Sequence, residues 1–278
     1  MGEESGGDTE VKGTIEAVTG LVKAVPIYED MVQPVAKQLG KSLETVGKVI
    51  NVALAPVGIL VWGYDKCQEF IQTKVADRLK DVPPEDIITP KPNVAGPAIE
   101  ALRYTGHEES LSDMYANLLA SAMDKNTADG AHPAFVEIIK QLTPDEARLI
   151  AYFMDSQPFP VVSVRADKKE SGKGGFDIAV NVSLFGEKAG VTLPKLVPAY
   201  LDNLGRLGLI DIQQAYTYTD KSLYEELETS SQIASYREHV AAIDHTFTLL
   251  RGGLAVTNLG KQFGSVCVVG RQANTAKT

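Results

Sequence analysis

The sequence predicts a mainly α-helical protein in which an N-terminal helical region is followed by a helical core and a C-terminal winged-helix-like α+β module. In the first half of the 278-residue chain, apolar residues recur at the three- and four-residue steps of amphipathic helices. The alternation of apolar and polar residues that is typical of strands begins only after residue 158. With 44% hydrophobic and 23% charged residues, the composition supports a packed core and excludes a disordered chain or a disulfide scaffold.

The N-terminal helical region is predicted over residues 11–80, behind a short acidic tail at residues 1–10. Its distinctive feature is the apolar run, residues 49–64, which carries no charged side chain over 16 positions. Spanning a membrane takes about 20 predominantly apolar residues. We therefore predict a buried helix pair, with insertion into a membrane on activation as the alternative. Four side chains of the run are the candidates for a membrane or partner contact: Val57, Ile59, Leu60 and Trp62.

A proline-rich linker is predicted at residues 81–97, where five prolines stiffen the chain and mark the candidate domain boundary. The helical core then covers residues 98–158. One helix of the core is predicted to begin at Thr143-Pro144-Asp145-Glu146, a cap residue followed by proline and two acids. The spacing of Thr105 and Glu108 predicts a capping box at the start of another helix.

The C-terminal module, residues 159–270, has an order of elements that indicates a winged helix, with residues 247–256 as its wing. A polar tail at residues 271–278 follows the module. The predicted elements of the module are two hairpin strands at 159–166 and 176–184, a helix opened by Thr192 and capped by Gly208, a strand at 209–212, a helix at 220–239, a tight hairpin at 245–256 and the short helix TNLGKQF.

The charge of the chain argues against nucleic-acid binding. The formal net charge is −9, and residues 193–264 of the winged-helix-like module hold 6 basic and 8 acidic side chains. A winged helix that reads DNA needs phosphate contacts on either side of the helix in the major groove, and this balance does not supply them. Protein contact or self-association is therefore favoured, and a DNA-associated regulator stays as an alternative.

The densest group of reactive side chains is the sequence RYTGHEE, which contains Arg103, Tyr104, His107 and Glu108. It has two interpretations: a salt-bridged helix corner, or the centre of a hydrolase based on His107 and Glu108. The histidines show no spacing typical of metal ligands, and the loop SGKGG lacks the phosphate-binding pattern GxxxxGK[ST]. We therefore predict no catalytic residue, no metal and no cofactor. The two cysteines are far apart in sequence, which suits a reducing cytoplasm.

Long segments of the chain resemble the bacterial abortive-infection alpha family. They are IYEDMVQPVAKQLGKSLETVGKVINVALAPVGILVWGYDK, PPEDIITPKPNVAGPAIEALRYTGHEESLSDMYANLLASAMD, AHPAFVEIIKQLTPDEARLI and YLDNLGRLGLIDI. The resemblance implies a role in defence against phage, in which an infected cell stops growing or dies before phage matures. It implies no catalytic motif. We therefore expect a non-enzymatic cytoplasmic sensor or effector that works through protein or inner-membrane contacts.

Overall fold

The first helix of the structure is interrupted by a π turn. Helix α1 (Tyr64–Phe70) continues through the π-helical residues Ile71–Val75 into helix α2 (Ala76–Leu79), and one side of this segment is buried. The predicted N-terminal tail, most of the N-terminal helical region and the C-terminal tail lie outside the described residues. The computed structural model of the protein describes residues 64–155, 157–170, 174–213 and 217–270.

Helix α4 (Glu109–Met123) lies at the centre of the helical core, where it packs against the π turn Ile71–Val75, against a second π turn at Gly264–Val268 and against its helical neighbours. Ten of its fifteen residues are buried, so it has little polar surface. The helix start predicted at Thr143 is confirmed, and it has the geometry of a capping box: the backbone N–H of Thr143 donates to the Glu146 carboxylate at 2.6 Å, and the backbone N–H of Glu146 donates to the Thr143 hydroxyl at 3.2 Å. The core helices are α3 (Pro92–Thr105), α4 (Glu109–Met123), α5 (Ala134–Lys140) and α6 (Pro144–Phe153).

A four-stranded antiparallel sheet follows the helical core, with the strand order β2-β1-β4-β3. The predicted hairpin at its start is confirmed, because β1 and β2 pair directly. Strand β1 pairs with β4 along its whole length, from Pro160 opposite Gly253 to Lys168 opposite His245. The strands are β1 (Pro160–Lys168), β2 (Gly175–Val182), β3 (Ile210–Gln213) and β4 (His245–Val256).

Short helices connect and cover the strands. Gly208 has φ of 74° and allows helix α8 (Val197–Arg206) to turn directly into β3, as the sequence predicted. The helix predicted at residues 220–239 is divided in two, because Ser230 caps a new helix with its side chain. These helices are α7 (Phe185–Lys188), α8 (Val197–Arg206), α9 (Glu225–Glu228), α10 (Ser231–Ala242) and α11 (Asn258–Phe263), which runs into a second π turn (Gly264–Val268).

The buried apolar residues form two clusters. The larger cluster joins the helical core to α8, α11 and the second π turn, and it contains both Cys67 and Cys267. The smaller cluster lies between the sheet and helices α9 and α10. Because successive side chains of a strand point to opposite faces, Val161 belongs to the larger cluster and Val162 belongs to the smaller one. The start of β1 therefore contributes to both clusters.

The prediction of a mainly α fold is wrong. The chain has an α+β fold, because the residues predicted as a separate hairpin at 245–256 form one continuous strand in the middle of a sheet. Gly252 and Gly253 stay extended because they pair with Val161 and Pro160 of β1. Residues 247–256 are therefore not a wing, and the winged-helix interpretation is not confirmed.

Two local predictions also differ from the structure. Residues 81–97 are not extended throughout, since Pro84–Asp86 forms a 3-10 turn and α3 begins at Pro92. Proline suits the first helical position because the N–H that it lacks has no partner there. The hydroxyl of Thr105 donates to a carbonyl one turn earlier instead of capping, and α4 begins at Glu109 without a side-chain cap.

Candidate functional site

The group picked out by its sequence, RYTGHEE, lies at the corner between α3 and α4. His107 and Glu108 form a pair on the surface, with 3.5 Å between Nε2 of the imidazole and Oε1 of the carboxylate. Their side chains are 56% and 44% exposed. Such a pair in water contributes little to stability because solvent screens it. It is the part of the predicted cluster that the structure brings together.

The other two residues of the group diverge. The side chain of Arg103 is buried, whereas Tyr104 is 55% exposed, more than any other large hydrophobic residue of the described chain. Arg103 lies near Cys67 of α1: burial raises the pKa of that thiol, and the guanidinium charge partly offsets the rise. A raised pKa keeps Cys67 in its less nucleophilic protonated form at neutral pH.

A polar contact on α4, which the sequence analysis missed, joins both ends of the described chain. We call Lys74, Arg78, Asp113 and Asn117 the α4 clamp. Asp113 Oδ1 accepts from Lys74 Nζ at 2.8 Å and from Arg78 Nη2 at 3.0 Å. Arg78 Nε also donates to Asn117 Oδ1. These bonds attach the α1–α2 segment to the middle of α4.

The amide of Asn117 also holds the second π turn. Its Nδ2 donates to the backbone carbonyls of Cys267, at 2.9 Å, and Val268, at 3.3 Å. Carbonyls at the end of a helix lack partners within the helix, so this side chain acts as their cap. Lys74 and Arg78 are four residues apart in the sequence, and so are Asp113 and Asn117. Because residues four apart lie on the same face of a helix, this spacing is the sequence signal for the clamp.

A second buried polar group, Asp145, joins α6 to the segment before α8. Its carboxylate accepts from the backbone N–H groups of Thr192, at 2.9 Å, and Leu193, at 3.1 Å, and from the hydroxyl of Tyr200 at 3.3 Å. Burial would raise the pKa of Asp145, but these backbone bonds and the Arg148 guanidinium outweigh it, so the pKa is lowered. In the sequence, Asp145 indicates only a helix start.

One face of the sheet carries a charged cluster across three strands. Arg165 of β1 donates to Asp167 at 2.8 Å and lies 3.4 Å from Asp177 of β2, while Thr248 of β4 donates to Asp167 at 2.8 Å. Hydrogen bonds from Thr248 and Arg165 lower the pKa of Asp167. Arg165 also donates to the carbonyl of Gly175, which covers an acceptor on the edge strand β2. The cluster links three strands and covers one backbone acceptor at this edge.

Neither a metal centre nor a membrane span occurs in the described residues. They contain no group of three histidine, cysteine, aspartate or glutamate side chains placed to hold a metal ion. In the same residues, no helix combines the length and the apolar character needed to cross a bilayer. The candidate contact residues Val57, Ile59, Leu60 and Trp62 lie outside the described residues.

The fold and these clusters define an α+β protein with a helical core, a four-stranded antiparallel sheet and polar side chains that join segments distant in the sequence. The model of the family described as abortive infection alpha matches residues 63–267, well over half of the chain. The chain belongs to the abortive infection alpha family, as its sequence resemblance indicated. The matched range begins next to the first residue of α1.

Other comparisons add a weaker likeness. A solved structure of an uncharacterized protein from the hydrocarbon-degrading marine bacterium Alcanivorax borkumensis SK2 is similar to this chain, with 22% sequence identity and a TM-score of 0.34. That match covers 46% of this chain and 88% of the other chain. No curated protein matches the sequence.

Proposed function

We propose that this protein acts in abortive infection as a non-enzymatic cytoplasmic sensor or effector, through contacts with a protein or with the inner membrane. The observation that carries the proposal is the match to the abortive infection alpha family over residues 63–267. The name of that family links the chain to bacterial defence against phage. Both cysteines of the described chain are free and buried, which fits a reducing compartment.

The surface of the described chain supports a role through contacts. Tyr104 presents an aromatic ring to solvent at the end of α3, where an aromatic side chain is a typical anchor of protein interfaces. His107 and Glu108 follow it at the same corner and supply polar groups at its margin. Aromatic residues are enriched at protein interfaces, and the margins of interfaces are polar.

A phage challenge of bacteria that express the protein tests this function. We expect protection of the culture when few phages are added per cell, and loss of the infected cells when phages outnumber cells. That pattern separates abortive infection from direct interference with phage, which would give survival at both ratios. Sensitivity to phage equal to that of cells without the protein would refute the proposal.

A hydrolase centred on His107 and Glu108 is the second candidate, because the two side chains lie 3.5 Å apart and are open to solvent. General acid–base residues contribute about 10²–10⁴-fold to a rate, so their removal is easily measured. Because His107 lies at the margin of the proposed contact site, where truncation of a side chain costs little binding energy, we expect His107→Ala to protect nearly as well as the unmodified protein. The matched control is His239→Ala, which removes an exposed histidine from α10. A 100-fold loss of protection in the first variant alone would favour the hydrolase.

A further inference from the structure

We propose that Asn117 couples two attachments to α4, so that the α1–α2 segment and the second π turn each bind more firmly while the other is in place. Asn117 is then a positioning residue that transmits a change at one end of the described chain to the other end. The observation behind the proposal is that one side-chain amide bonds to both partners at once. The coupling is independent of the proposed function.

The two ends of the Asn117 amide face different partners. Its Oδ1 accepts from Nε of Arg78 in α2, and its Nδ2 donates to the backbone carbonyls of Cys267, at 2.9 Å, and Val268, at 3.3 Å. A guanidinium can only donate and a carbonyl oxygen can only accept. A flipped amide would therefore place donor against donor and acceptor against acceptor. Only one orientation of the amide satisfies both partners.

Arg78 is fixed for this contact by two further hydrogen bonds. Its Nη2 donates to Asp113 Oδ1 at 3.0 Å, and its Nη1 donates to the backbone carbonyl of Lys74 at 2.8 Å. Lys74 belongs to the π turn Ile71–Val75, so the guanidinium also bonds to the backbone of that turn. Because the donors of an arginine share one rigid plane, a shift that breaks one of these contacts misaligns the others. The position of the α1–α2 segment therefore determines whether Nε reaches Asn117.

The chain that follows the second π turn closes over the same amide. Gly270 is buried and has φ of 60°, and a Cβ atom there would lie 3.0 Å from Asn117 Oδ1. Glycine adopts this left-handed conformation without strain. The oxygen that accepts from Arg78 is therefore also packed against the end of the described chain.

Loss of one contact weakens the other because it frees the amide. A side chain that has lost one partner gains rotational freedom, and the remaining bonds must then fix its orientation by themselves. Hydrogen bonds that share one group are coupled for this reason. The coupling is reciprocal: a partner that draws the α1–α2 segment away from α4 loosens the second π turn, and a change at the second π turn loosens the segment.

Hydrogen exchange of the full-length protein measures this coupling. We expect Arg78→Met, which removes the bond to Asn117, to raise the exchange rate of the amides in the second π turn about threefold or more. The matched control is Lys74→Met, which also removes a cation from Asp113 Oδ1 but leaves the bond between Arg78 and Asn117 in place. It should leave the second π turn unchanged. Equal rates in the two variants, whether raised or not, would overturn the coupling.

The reciprocal experiment starts from the other end. We expect Gly270→Ala to raise the exchange rate of the α1–α2 amides about threefold, because the new Cβ displaces the Asn117 amide. The matched control is Gly190→Ala, at a glycine with φ of 64° where a Cβ would have no neighbour within 4 Å among the described residues. It imposes the same backbone strain far from the clamp. Acceleration in both variants, or in neither, would overturn the reciprocity.

Asn117→Asp separates coupling from a general loss of stability. An aspartate still accepts from Arg78 but cannot donate to the carbonyls, so the second π turn should exchange faster while the α1–α2 segment keeps its protection. In this background Arg78→Met should change the exchange of the second π turn by less than about twofold, because the path through the amide is already broken. Additive effects of the two substitutions would overturn the proposal. Exchange in β1 and β4 is the internal reference that shows the fold to be retained in each variant.

Discussion

Asp145 illustrates how one buried carboxylate can hold a segment that has few apolar contacts of its own. It is 5% exposed and receives hydrogen bonds from Thr192, Leu193 and Tyr200. Leu193 and Leu196, by contrast, are 44% and 39% exposed, so their burial contributes little to fixing this segment. The carboxylate therefore anchors the chain before α8 together with Val191, which is buried in the larger apolar cluster.

The stability that Asp145 provides should depend on pH. Because folding lowers the pKa of Asp145, its contribution is present above the unfolded-state pKa of about 3.9 and is lost as the pH falls through the folded-state value. We expect Asp145→Asn to lower the free energy of unfolding by about 1–3 kcal/mol at pH 7. This difference should shrink below about pH 4, where the native carboxyl also becomes protonated.

Urea denaturation at pH 7, 5, 4 and 3 measures the difference. The control is Asp81→Asn, which changes an exposed aspartate outside the Asp145 hydrogen bonds and should keep the pH dependence of the unmodified protein. The free energy of unfolding of the Asp145→Asn variant is compared with that of the unmodified protein at each pH. A difference that stays constant from pH 7 to pH 3 would contradict the mechanism, because it would not arise from ionisation.

At the scale of elements, α11 is fixed to the sheet by a close approach of two backbones. The Thr257 hydroxyl accepts from the N–H of Gly260 at 2.9 Å and donates to the carbonyl of Gly208 at 2.6 Å. A Cβ atom at Gly260 would lie 2.0 Å from the carbonyl oxygen of Leu209. The absence of a side chain at this position therefore allows α11 to lie against the turn before β3.

Alanine substitutions at two glycines should have opposite effects. We expect Gly260→Ala to lower the free energy of unfolding by about 1–3 kcal/mol, because the backbone must move to relieve the clash with Leu209. Gly205 lies inside α8, where a Cβ would be 3.9 Å from its nearest neighbour. There alanine should be neutral or stabilise by up to about 1 kcal/mol through helix propensity. Chemical denaturation measures the free energy of unfolding of both variants. Equal changes in the two would refute the argument from the close contact at Gly260.

Elements whose signals are local could be predicted from the sequence. The helix start at Thr143 and the left-handed turn at Gly208 were predicted because each depends on a few neighbouring residues. The error at Gly252-Gly253 has the opposite cause. Two adjacent glycines are typical of a turn, and only pairing with β1, which precedes them by about 90 residues in sequence, keeps them extended.

The residues of the candidate site also divide into those with a local sequence signal and those that depend on contacts with distant parts of the chain. The pairing of His107 with Glu108 could be anticipated because they are neighbours in sequence. The burial of Arg103 depends on packing between helices, and a helix pattern alone does not specify which side of α3 is covered. Asn117 was missed because its partners, Arg78 and the carbonyl of Cys267, come from distant parts of the chain.

At the scale of the whole molecule, the two apolar clusters differ in size and in how they are covered. The larger cluster includes α4, of which ten residues are buried. The smaller cluster is covered by α10, which contributes two buried residues, Ile233 and Val240. Arg237 of α10 also stacks on the ring of Phe247, with 4.3 Å from Cζ to the ring centroid. Fewer apolar contacts make α10 easier to open than α4.

Native-state hydrogen exchange should therefore separate the two clusters. We expect backbone amides of α10 to exchange faster than those of α4, because opening α10 exposes the smaller cluster without unfolding the helical core. Ile233→Ala should weaken protection in α10 by about 2–5 kcal/mol, the usual cost of removing a buried isoleucine side chain, until global unfolding limits the effect. Protection in α4 should change far less.

The matched control, Ala234→Gly, alters an exposed residue of α10 and should cost about 1 kcal/mol through helix propensity alone. Equal loss of protection in α4 and α10 would mean that the two clusters unfold as one cooperative unit.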